Sequence, residues 1–342
     1  MKFAIIADLH LSRYSQDKIE DETHLPERLH SIKTALYKVG NYCIENDITR
    51  LIIAGDILHG KSIIYAIAQD IMLDFFEDFN NKLEFYVIDG NHDLSGKGSE
   101  VVSALKSLKN IQGVKWISFK ETFLLGEEVL LVPYSENVAQ IVKDNKAKIL
   151  ISHFGLNEGI LNSGISIISE VKATDLIGNY ELVLLGHYHK PQQIIRDDIK
   201  IYYVGSLIQL DWGEKGDDKR FLVVDTDTLD IEEIPITGYK KHIEIELRDE
   251  NKDEVFVLAQ QAKDAGDHIK IIMKEKVDID GIKHNFNIID KTDKDITDRG
   301  ITSSMSQEDK VKKYLEIKKI SENKIDEYAK VAFELMQSEE TL

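Results

Sequence analysis

The chain has 342 residues, and its 61 acidic and 43 basic side chains give a formal net charge of −18. Because 42% of the residues are apolar, the chain can bury a core over about two domains, which excludes a wholly disordered protein. Its single cysteine excludes a disulfide scaffold and a cysteine-based zinc cluster, and its acidic balance excludes binding to nucleic acid by bulk surface charge alone.

The amino-terminal apolar run, 3–7, is ended by Asp8 and is too short for the core of a signal peptide. No stretch of about 18 apolar residues follows, so the sequence predicts no membrane-spanning helix. We therefore expect a soluble, intracellular protein, and the single cysteine is typical of the reducing cytoplasm.

Short apolar runs then alternate with amphipathic stretches. Apolar residues at helical spacing predict three early helices, at 27–47, 62–79 and 99–108. The apolar runs predict strands at 3–7, 51–54, 85–88, 129–132, 149–152, 182–185, 201–204 and 221–224. Strands that alternate with helices and later follow one another closely favour an α/β layered fold with a large mixed sheet.

The pattern changes after residue 237. Strands predicted at 242–247 and 269–273 flank a helix near 253–265, which indicates a small α+β unit. The charged segment 306–337 has apolar stripes that predict two short amphipathic helices. Such stripes either pack on the core of their own chain or bind a partner, and the sequence leaves both open.

Polar residues that bind hard metals follow five of the predicted strands. In α/β sheets, ligands bind beyond the carboxyl ends of the strands. One such residue is usually a cap or a turn residue, but the same arrangement at five strand ends is improbable by chance and predicts a metal centre. The set comprises Asp8 and His10; Asp56; Asn91, His92 and Asp93; His153; and His187 and His189.

The ligand types indicate the chemistry of this centre. Oxygen and imidazole ligands without thiolate favour Mn²⁺, Fe or Zn²⁺ over Mg²⁺. One carboxylate shared by two ions holds them about 3.5–4 Å apart, the spacing used for phosphoryl displacement. Ions so placed polarise a phosphate and activate a water molecule, so no serine or cysteine nucleophile is needed. The sequence contains neither a G-x-S-x-G motif nor a P-loop.

In this order, the motifs resemble the signature of the calcineurin-like metallophosphoesterases: Asp8-x-His10, Gly55-Asp56, Gly90-Asn91-His92-Asp93, His153 and Gly186-His187-x-His189. The resemblance covers about residues 1–235. His59 follows Asp56 at an offset that is similar to the SbcD-type DNA repair nucleases, whereas protein Ser/Thr phosphatases carry an arginine soon after that aspartate. Residues 205–210 and the loop 213–220 also resemble the SbcD-type family, and phage recombination endonuclease subunits are the most similar group.

The resemblance implies a layered metallophosphoesterase fold, with mixed sheets flanked by helices, over residues 1–237. It implies a small α+β capping domain that positions DNA over 238–302 and C-terminal helices that bind a partner over 303–342. It also implies two divalent ions, preferably Mn²⁺ with Mg²⁺ as the alternative. The implied ligands are Asp8, His10 and His189 for one ion, Asn91, His153 and His187 for the other, and Asp56 as the bridge.

Three further residues take part in catalysis if the resemblance holds. His92 would be the general acid or transition-state stabiliser near the leaving oxygen, with Asp93 orienting it. His59 would lie beside the substrate phosphate, although a polar residue at the start of a helix needs no such role.

We therefore expect a two-metal DNA endo- and exonuclease that acts in double-strand break repair and recombination. The resemblance implies a homodimer and an SMC-like coiled-coil ATPase partner that binds the C-terminal helices, in the cytoplasm of a bacterium or of a phage-infected host. One alternative is a phosphodiesterase that acts on small nucleotides or other phosphoesters. A second alternative, a scaffold without catalysis, typically lacks ligands or the catalytic histidine, and this sequence has all of them.

Overall fold

The computed structural model describes residues 1–14, 17–20, 22–161, 169–279, 286–291, 305–318, 320–321 and 324–331. The chain divides into two compact units, Met1–His242 and Ile243–Leu342. Among the helices described, none has both the length and the apolar character that crossing a membrane requires.

The first unit carries most of the regular structure. Its helices are α1 (Glu27–Glu45), α2 (Ala66–Phe79) and α3 (Val138–Asp144). Its strands are β1 (Lys2–Ile6), β2 (Arg50–Ala54), β3 (Glu84–Ile88), β4 (Leu94–Ser95), β5 (Val102–Ser103), β6 (Val114–Ile117), β7 (Phe123–Leu125), β8 (Val129–Val132), β9 (Ile149–His153), β10 (Leu182–Gly186), β11 (Gln192–Arg196), β12 (Ile199–Tyr203), β13 (Arg220–Asp225) and β14 (Asp230–Pro235).

Twelve of these strands form two six-stranded mixed sheets, and β4 pairs with β5 separately. The apolar runs alone favoured one large mixed sheet, and the several mixed sheets that the resemblance implies are confirmed. The first sheet has the order β14-β13-β1-β2-β3-β6, and the second has the order β11-β12-β10-β9-β8-β7. In the first sheet β1, β2, β3 and β6 are parallel, β13 pairs antiparallel with β1, and β14 pairs antiparallel with β13. The second sheet has parallel β8, β9, β10 and β12 between two antiparallel edge strands, β7 and β11.

The two sheets pack face to face, with helices on their outer faces. Because successive side chains of a strand point to opposite faces, Phe3 and Ile5 lie between the sheets, whereas Ala4 and Ile6 pack with residues of α1 and α2. The outer face of the second sheet packs with α3. Burial on both faces explains the continuous apolar runs of the strands, and the predicted layered α/β fold is confirmed.

Two predicted helices differ from the structure. The helix predicted over 62–79 begins only at Ala66, because the preceding Tyr65 has an extended backbone with ψ of 129°. The helix predicted over 99–108 is wrong: the segment forms the short strand β5 followed by a 3-10 helix, Ala104–Asn110. Ser103 begins that turn by accepting a hydrogen bond from the Leu105 amide, and its own hydroxyl donates to Asp89.

The second unit contains the strands β15 (His242–Leu247, whose first residue lies in the first unit), β16 (His268–Met273) and β17 (Ile288–Asp290), together with the helices α4 (Lys252–Asp264) and α5 (Gln307–Ile317). The sheet has the order β15-β16-β17, and its apolar face packs against Val255 and Ala259 of α4. Residues 324–331 are also helical, and the end of the second predicted terminal helix, 332–337, lies outside the described residues.

Candidate metal centre

The predicted ligands follow the carboxyl ends of strands from both sheets of the first unit. In the first sheet, β1 leads to Asp8 and His10, β2 leads to Asp56, and β3 leads to the segment Asn91, His92 and Asp93. In the second sheet, β9 ends at His153, and β10 leads to His187 and His189. The packing of the two sheets brings these strand ends to one place.

Four of these residues have a left-handed backbone. The φ angle is 55° at Asp8, 48° at His10, 54° at Asp56 and 93° at His187. This conformation is uncommon for residues other than glycine and costs on the order of 1–3 kcal/mol each, so it persists only where the surroundings hold it. The His10 amide donates to the Asp56 carbonyl oxygen at 3.0 Å, and the His187 amide donates to the Asp8 carboxylate at 3.0 Å. The strands therefore hold the ligand-bearing turns in place.

Asp56 lies at the centre of the cluster. Its Oδ2 atom is 3.5 Å from His10 Nε2 and 3.3 Å from His153 Nε2. Its other oxygen accepts a hydrogen bond from the His92 amide at 2.8 Å. A buried carboxylate with imidazole nitrogens on two sides has the arrangement of a bridging ligand.

Two sets of predicted ligands lie around Asp56. The His189 half consists of Asp8, His10 and His189, and His10 Nε2 is 2.9 Å from His189 Nε2. The His153 half consists of Asn91, His153 and His187, and Asn91 Oδ1 is 3.0 Å from both His153 Nε2 and His187 Nδ1. All seven predicted ligands are thus brought together.

The hydrogen bonds around the imidazoles test whether these residues fit a cation. His153 Nδ1 is 2.8 Å from the Ala54 carbonyl oxygen, so Nδ1 carries a proton, and Nε2 faces the oxygens of Asp56 and Asn91. His189 Nδ1 donates to Glu214 at 2.8 Å, which leaves its Nε2 lone pair facing His10. Acceptor atoms that face one another in this way need a proton or a metal ion between them, and the donor set fits divalent cations.

The charges of the cluster point the same way. Burial alone would raise the pKa of Asp56, but His153 and His10 hold it well below the usual value. Burial lowers the pKa of His153, yet the neighbouring Asp56 overcomes this and raises it to about 9. Burial lowers the pKa of His187 to about 3, and the charge of His153 adds to that effect. In the protein alone, a proton on His153 therefore supplies the positive charge that Asp56 requires.

His92 and His59 lie next to the ligands. Their rings stack with centroids 5.1 Å apart, and His92 Nδ1 is 2.9 Å from the His59 carbonyl oxygen. His59 Nδ1 is 3.0 Å from His10 Nδ1. Burial, together with the charge of His92, lowers the pKa of His59 to about 4, so His59 is neutral at pH 7.

Asp93 contacts the backbone instead of the His92 ring. Its carboxylate accepts hydrogen bonds from the amides of Asp56 at 2.8 Å, Leu58 at 3.0 Å and Gly90 at 2.9 Å. Asp93 therefore holds the turn that carries Asp56. The contact that orients the His92 ring comes from the His59 carbonyl oxygen, a backbone atom that residue types do not reveal.

Three buried groups that support the cluster were not predicted from the sequence. Glu214 and Lys219 lie behind His189 and form an ion pair of 2.7 Å. Asp89 accepts hydrogen bonds from Trp116 Nε1 at 3.0 Å and the Phe119 amide at 2.9 Å, which fixes the end of β3. The similarity of loop 213–220 to the nuclease family was the available signal for the first two, but a charge-rich loop usually indicates solvent exposure.

The family model for Calcineurin-like phosphoesterase matches residues 1–191, which is more than half of the chain. The chain belongs to this family. The calcineurin-like phosphoesterases are hydrolases that use divalent metals, and all seven predicted ligands lie within the matched residues.

Individual relatives are distant. This calcineurin-like phosphoesterase is 23% identical over 316 residues to Exonuclease subunit 1 of Enterobacteria phage T4, with 86% of each chain covered. It is 25% identical over 199 residues to Uncharacterized protein R555 of Acanthamoeba polyphaga mimivirus, which covers 52% of this chain and 14% of that protein. A solved dimetal phosphatase from Danio rerio is 10% identical with a TM-score of 0.46, covering 69% of this chain and 99% of that one.

Proposed function

We propose that this calcineurin-like phosphoesterase is a two-metal DNA phosphodiesterase with endo- and exonuclease activity. The observation that carries the proposal is the position of Asp56, whose Oδ2 atom lies 3.5 Å from His10 and 3.3 Å from His153. One carboxylate is thereby common to two ligand sets. Sites that hydrolyse phosphodiesters commonly use such a pair of ions.

In this proposal Asp8, His10 and His189 hold one ion, Asn91, His153 and His187 hold the other, and Asp56 bridges both. The four imidazoles favour Mn²⁺, with Mg²⁺ as the alternative. Bound ions of this kind polarise a phosphate and lower the pKa of a water molecule.

The histidines beside the ligands are suited to the rest of the reaction. His92 Nδ1 donates to the His59 carbonyl oxygen. When the ring is the doubly protonated imidazolium, its Nε2–H would give a proton to the leaving oxygen. His10 binds metal through Nε2, so its Nδ1–H donates to His59 Nδ1, and the Nε2–H of His59 is left for a phosphate oxygen. Asp93 acts as a positioning residue, through the turn that carries Asp56.

DNA is the proposed substrate because of the similarity to the phage T4 protein named Exonuclease subunit 1, which extends over 86% of both chains. We infer a role in DNA double-strand break repair or recombination, in the cytoplasm of a bacterium or of a phage-infected host, with the chain as a homodimer.

The proposed partner is an SMC-like coiled-coil ATPase that binds the C-terminal helices. Tyr314 and Ile317 of α5 are 43% and 37% exposed, and Tyr328 and Val331 of the following helix are 40% and 48% exposed. Lys312 and Asp326 join the two helices through an ion pair of 2.9 Å. Apolar side chains exposed on a joined helix pair suit the binding of a partner helix.

The test is to incubate the purified chain with end-labelled linear and hairpin DNA in Mn²⁺, in Mg²⁺ and in EDTA. We expect Mn²⁺-dependent cleavage that His92→Ser reduces by at least about 100-fold, the lower range for general acid catalysis, while metal content stays unchanged. His30→Ser, which changes a histidine of α1 outside the cluster, is the matched control. Hydrolysis of a small aryl phosphodiester without DNA cleavage would favour the small-substrate alternative.

A further inference from the structure

A buried ionic cluster lies behind His189. The side chains of Lys219 and Glu214 are 0% and 1% exposed, and Lys219 Nζ is 2.7 Å from Glu214 Oε2. Lys219 Nζ also donates to Ser206 Oγ at 3.0 Å and to the His189 carbonyl oxygen at 2.9 Å. A second carboxylate, Asp217 Oδ2, lies 3.5 Å from the same Nζ atom. The closer contacts of the lysine are with Glu214, with one hydroxyl and with the backbone of one proposed metal ligand.

Burying such a pair is expensive. Each ion loses its hydration, and replacement of a buried ion pair by apolar side chains of similar volume is often neutral or stabilising. Stability of the fold therefore gives a weak reason for Glu214 and Lys219 to be charged. Their contacts with His189 suggest a different reason.

Glu214 reaches the ring of His189 with a fixed orientation. Its Oε2 atom accepts from Lys219, from Ser206 Oγ at 2.9 Å and from the Leu210 amide at 3.1 Å. Its Oε1 atom is thereby aimed at His189 Nδ1, 2.8 Å away. Lys219 holds the backbone of His189, and Glu214 holds its ring.

We propose that Glu214 is a positioning residue for metal binding by His189, with Lys219 and Ser206 fixing its carboxylate. The hydrogen bond keeps the proton of His189 on Nδ1 and leaves the Nε2 lone pair for the ion. This inference rests on the proposed role of His189 as a ligand. Loss of such an outer partner lowers metal affinity by about 10–100-fold.

The test is a calorimetric titration of the full chain with Mn²⁺ alone. We expect the wild-type chain to bind two ions. The dissociation constant of one ion should rise about 10-fold in Glu214→Gln and about 100-fold in Glu214→Ala. The dissociation constant of the other ion should not change. His189→Ala should abolish binding of the same ion. Glu27→Gln is the matched control. Glu27 is a mostly buried carboxylate on α1, and its Oε1 atom is 2.6 Å from Lys240 Nζ.

A double variant covers the case in which the single variants fold poorly. Glu214→Gln with Lys219→Met removes both charges of the 2.7 Å pair, so neither member of that pair is left buried alone, and the same affinity loss is expected. At a pH where His189 is neutral, ring ¹⁵N spectra of the metal-free chain should show its proton on Nδ1 in the wild type. In Glu214→Ala they should show a mixture of the Nδ1–H and Nε2–H tautomers.

The outcomes separate this inference from the proposed function. If His189→Ala still binds two ions with unchanged affinity, the ligand assignment fails and this inference fails with it. If His189→Ala loses an ion but the Glu214 variants bind both ions like the wild type, the positioning role alone is overturned. Equal losses in Glu27→Gln and Glu214→Gln would also overturn it, because a general loss of stability would then explain the effect.

Discussion

The two halves of the proposed metal centre are supported by different kinds of groups. In the His189 half, the ring of His189 is held by Glu214, a side chain 25 positions further along the sequence. In the His153 half, the ring of His153 is held by the carbonyl oxygen of Ala54, at the end of β2. Both contacts leave Nε2 to face the centre.

The difference shows how much of such a site the fold itself can supply. A carbonyl oxygen at a strand end is present whatever the side chain, so the support of His153 follows from sheet packing. The support of His189 depends on residue identity in the loop that contains Ser206, Glu214 and Lys219. Substitution of a supporting side chain such as Glu214 should therefore change metal affinity in the His189 half. In the His153 half, a substitution outside the ligand set should change metal affinity only if the new side chain clashes with the ring of His153.

Loss of the shared carboxylate should have the largest effect, because it removes the feature that the halves have in common. In Asp56→Asn, the amide oxygen can still accept from the His92 amide, so the fold is kept while the charge is lost. We expect the affinity of both ions to fall by more than about 100-fold, beyond the loss of an outer partner. Elemental analysis should find both ions depleted, with the exposed Asp74→Asn as control; depletion of one ion only would contradict bridging.

Steric pressure on the His153 half should have the next largest effect. A Cβ atom on Gly55, where φ is 87°, would lie 2.4 Å from His153 Nδ1, whereas a Cβ atom on Gly126, where φ is 63°, would meet nothing within 4 Å. Gly126→Ala should cost only the backbone strain of about 1–2 kcal/mol. Gly55→Ala should cost about 2–5 kcal/mol, since overpacking adds to the strain.

Chemical denaturation would measure the two unfolding free energies, and Mn²⁺ titration should show a weakened ion in Gly55→Ala only. Equal metal affinity in the two variants would mean that the Ala54 contact does not hold His153 in place for binding.

Protons should compete with the metal ion for the ring of His153, so metal affinity in the His153 half should change gradually with pH. The pKa of His153 is about 9, so below that pH an ion must displace one proton from its ring. Affinity should therefore rise about tenfold per pH unit between pH 7 and 9 and level off above. His187, with a pKa of about 3, releases no proton in this range.

Calorimetry of His189→Ala in buffers of different ionisation enthalpy isolates the His153 half. We expect about one proton released per Mn²⁺ bound at pH 7.5. Binding without proton release would show that His153 is neutral in the metal-free protein.

Removal of the terminal helices should have the smallest effect on either half. Deletion of residues 303–342 should leave the affinity for both ions within about twofold of the wild type, because the described ligands and their partners all lie in Met1–His242. The same deletion should abolish co-purification with the proposed ATPase. Unchanged co-purification would overturn the assignment of the partner-binding segment.

The sequence predicted which polar residues the fold brings together better than it predicted the groups around them, for physical reasons. A histidine directly after a buried strand, as at His153 or His187, has few structural roles, so the pattern indicated ligands. Apolar runs do not reveal which strands are neighbours, so the presence of more than one sheet was implied only by the family resemblance. Carbonyl partners such as those at Ala54 and His59 have no residue signature.

Two charged residues are buried although their sequence context indicates solvent exposure. Glu214 and Lys219 lie in a glycine- and charge-rich loop that is typical of exposed segments, although both side chains are buried. The segment 99–108 shows a related difficulty. Its apolar spacing matched a helix, but the hydrogen bond from Ser103 to the buried Asp89 stabilises a strand and a tight turn instead.

The most direct test of the account is low-temperature electron paramagnetic resonance of the chain loaded with two equivalents of Mn²⁺. One carboxylate shared between the His189 and His153 halves predicts an exchange-coupled pair of ions, which Asp56→Asn abolishes. Two independent Mn²⁺ signals in the wild type would contradict the central claim that Asp56 joins the two halves into one site.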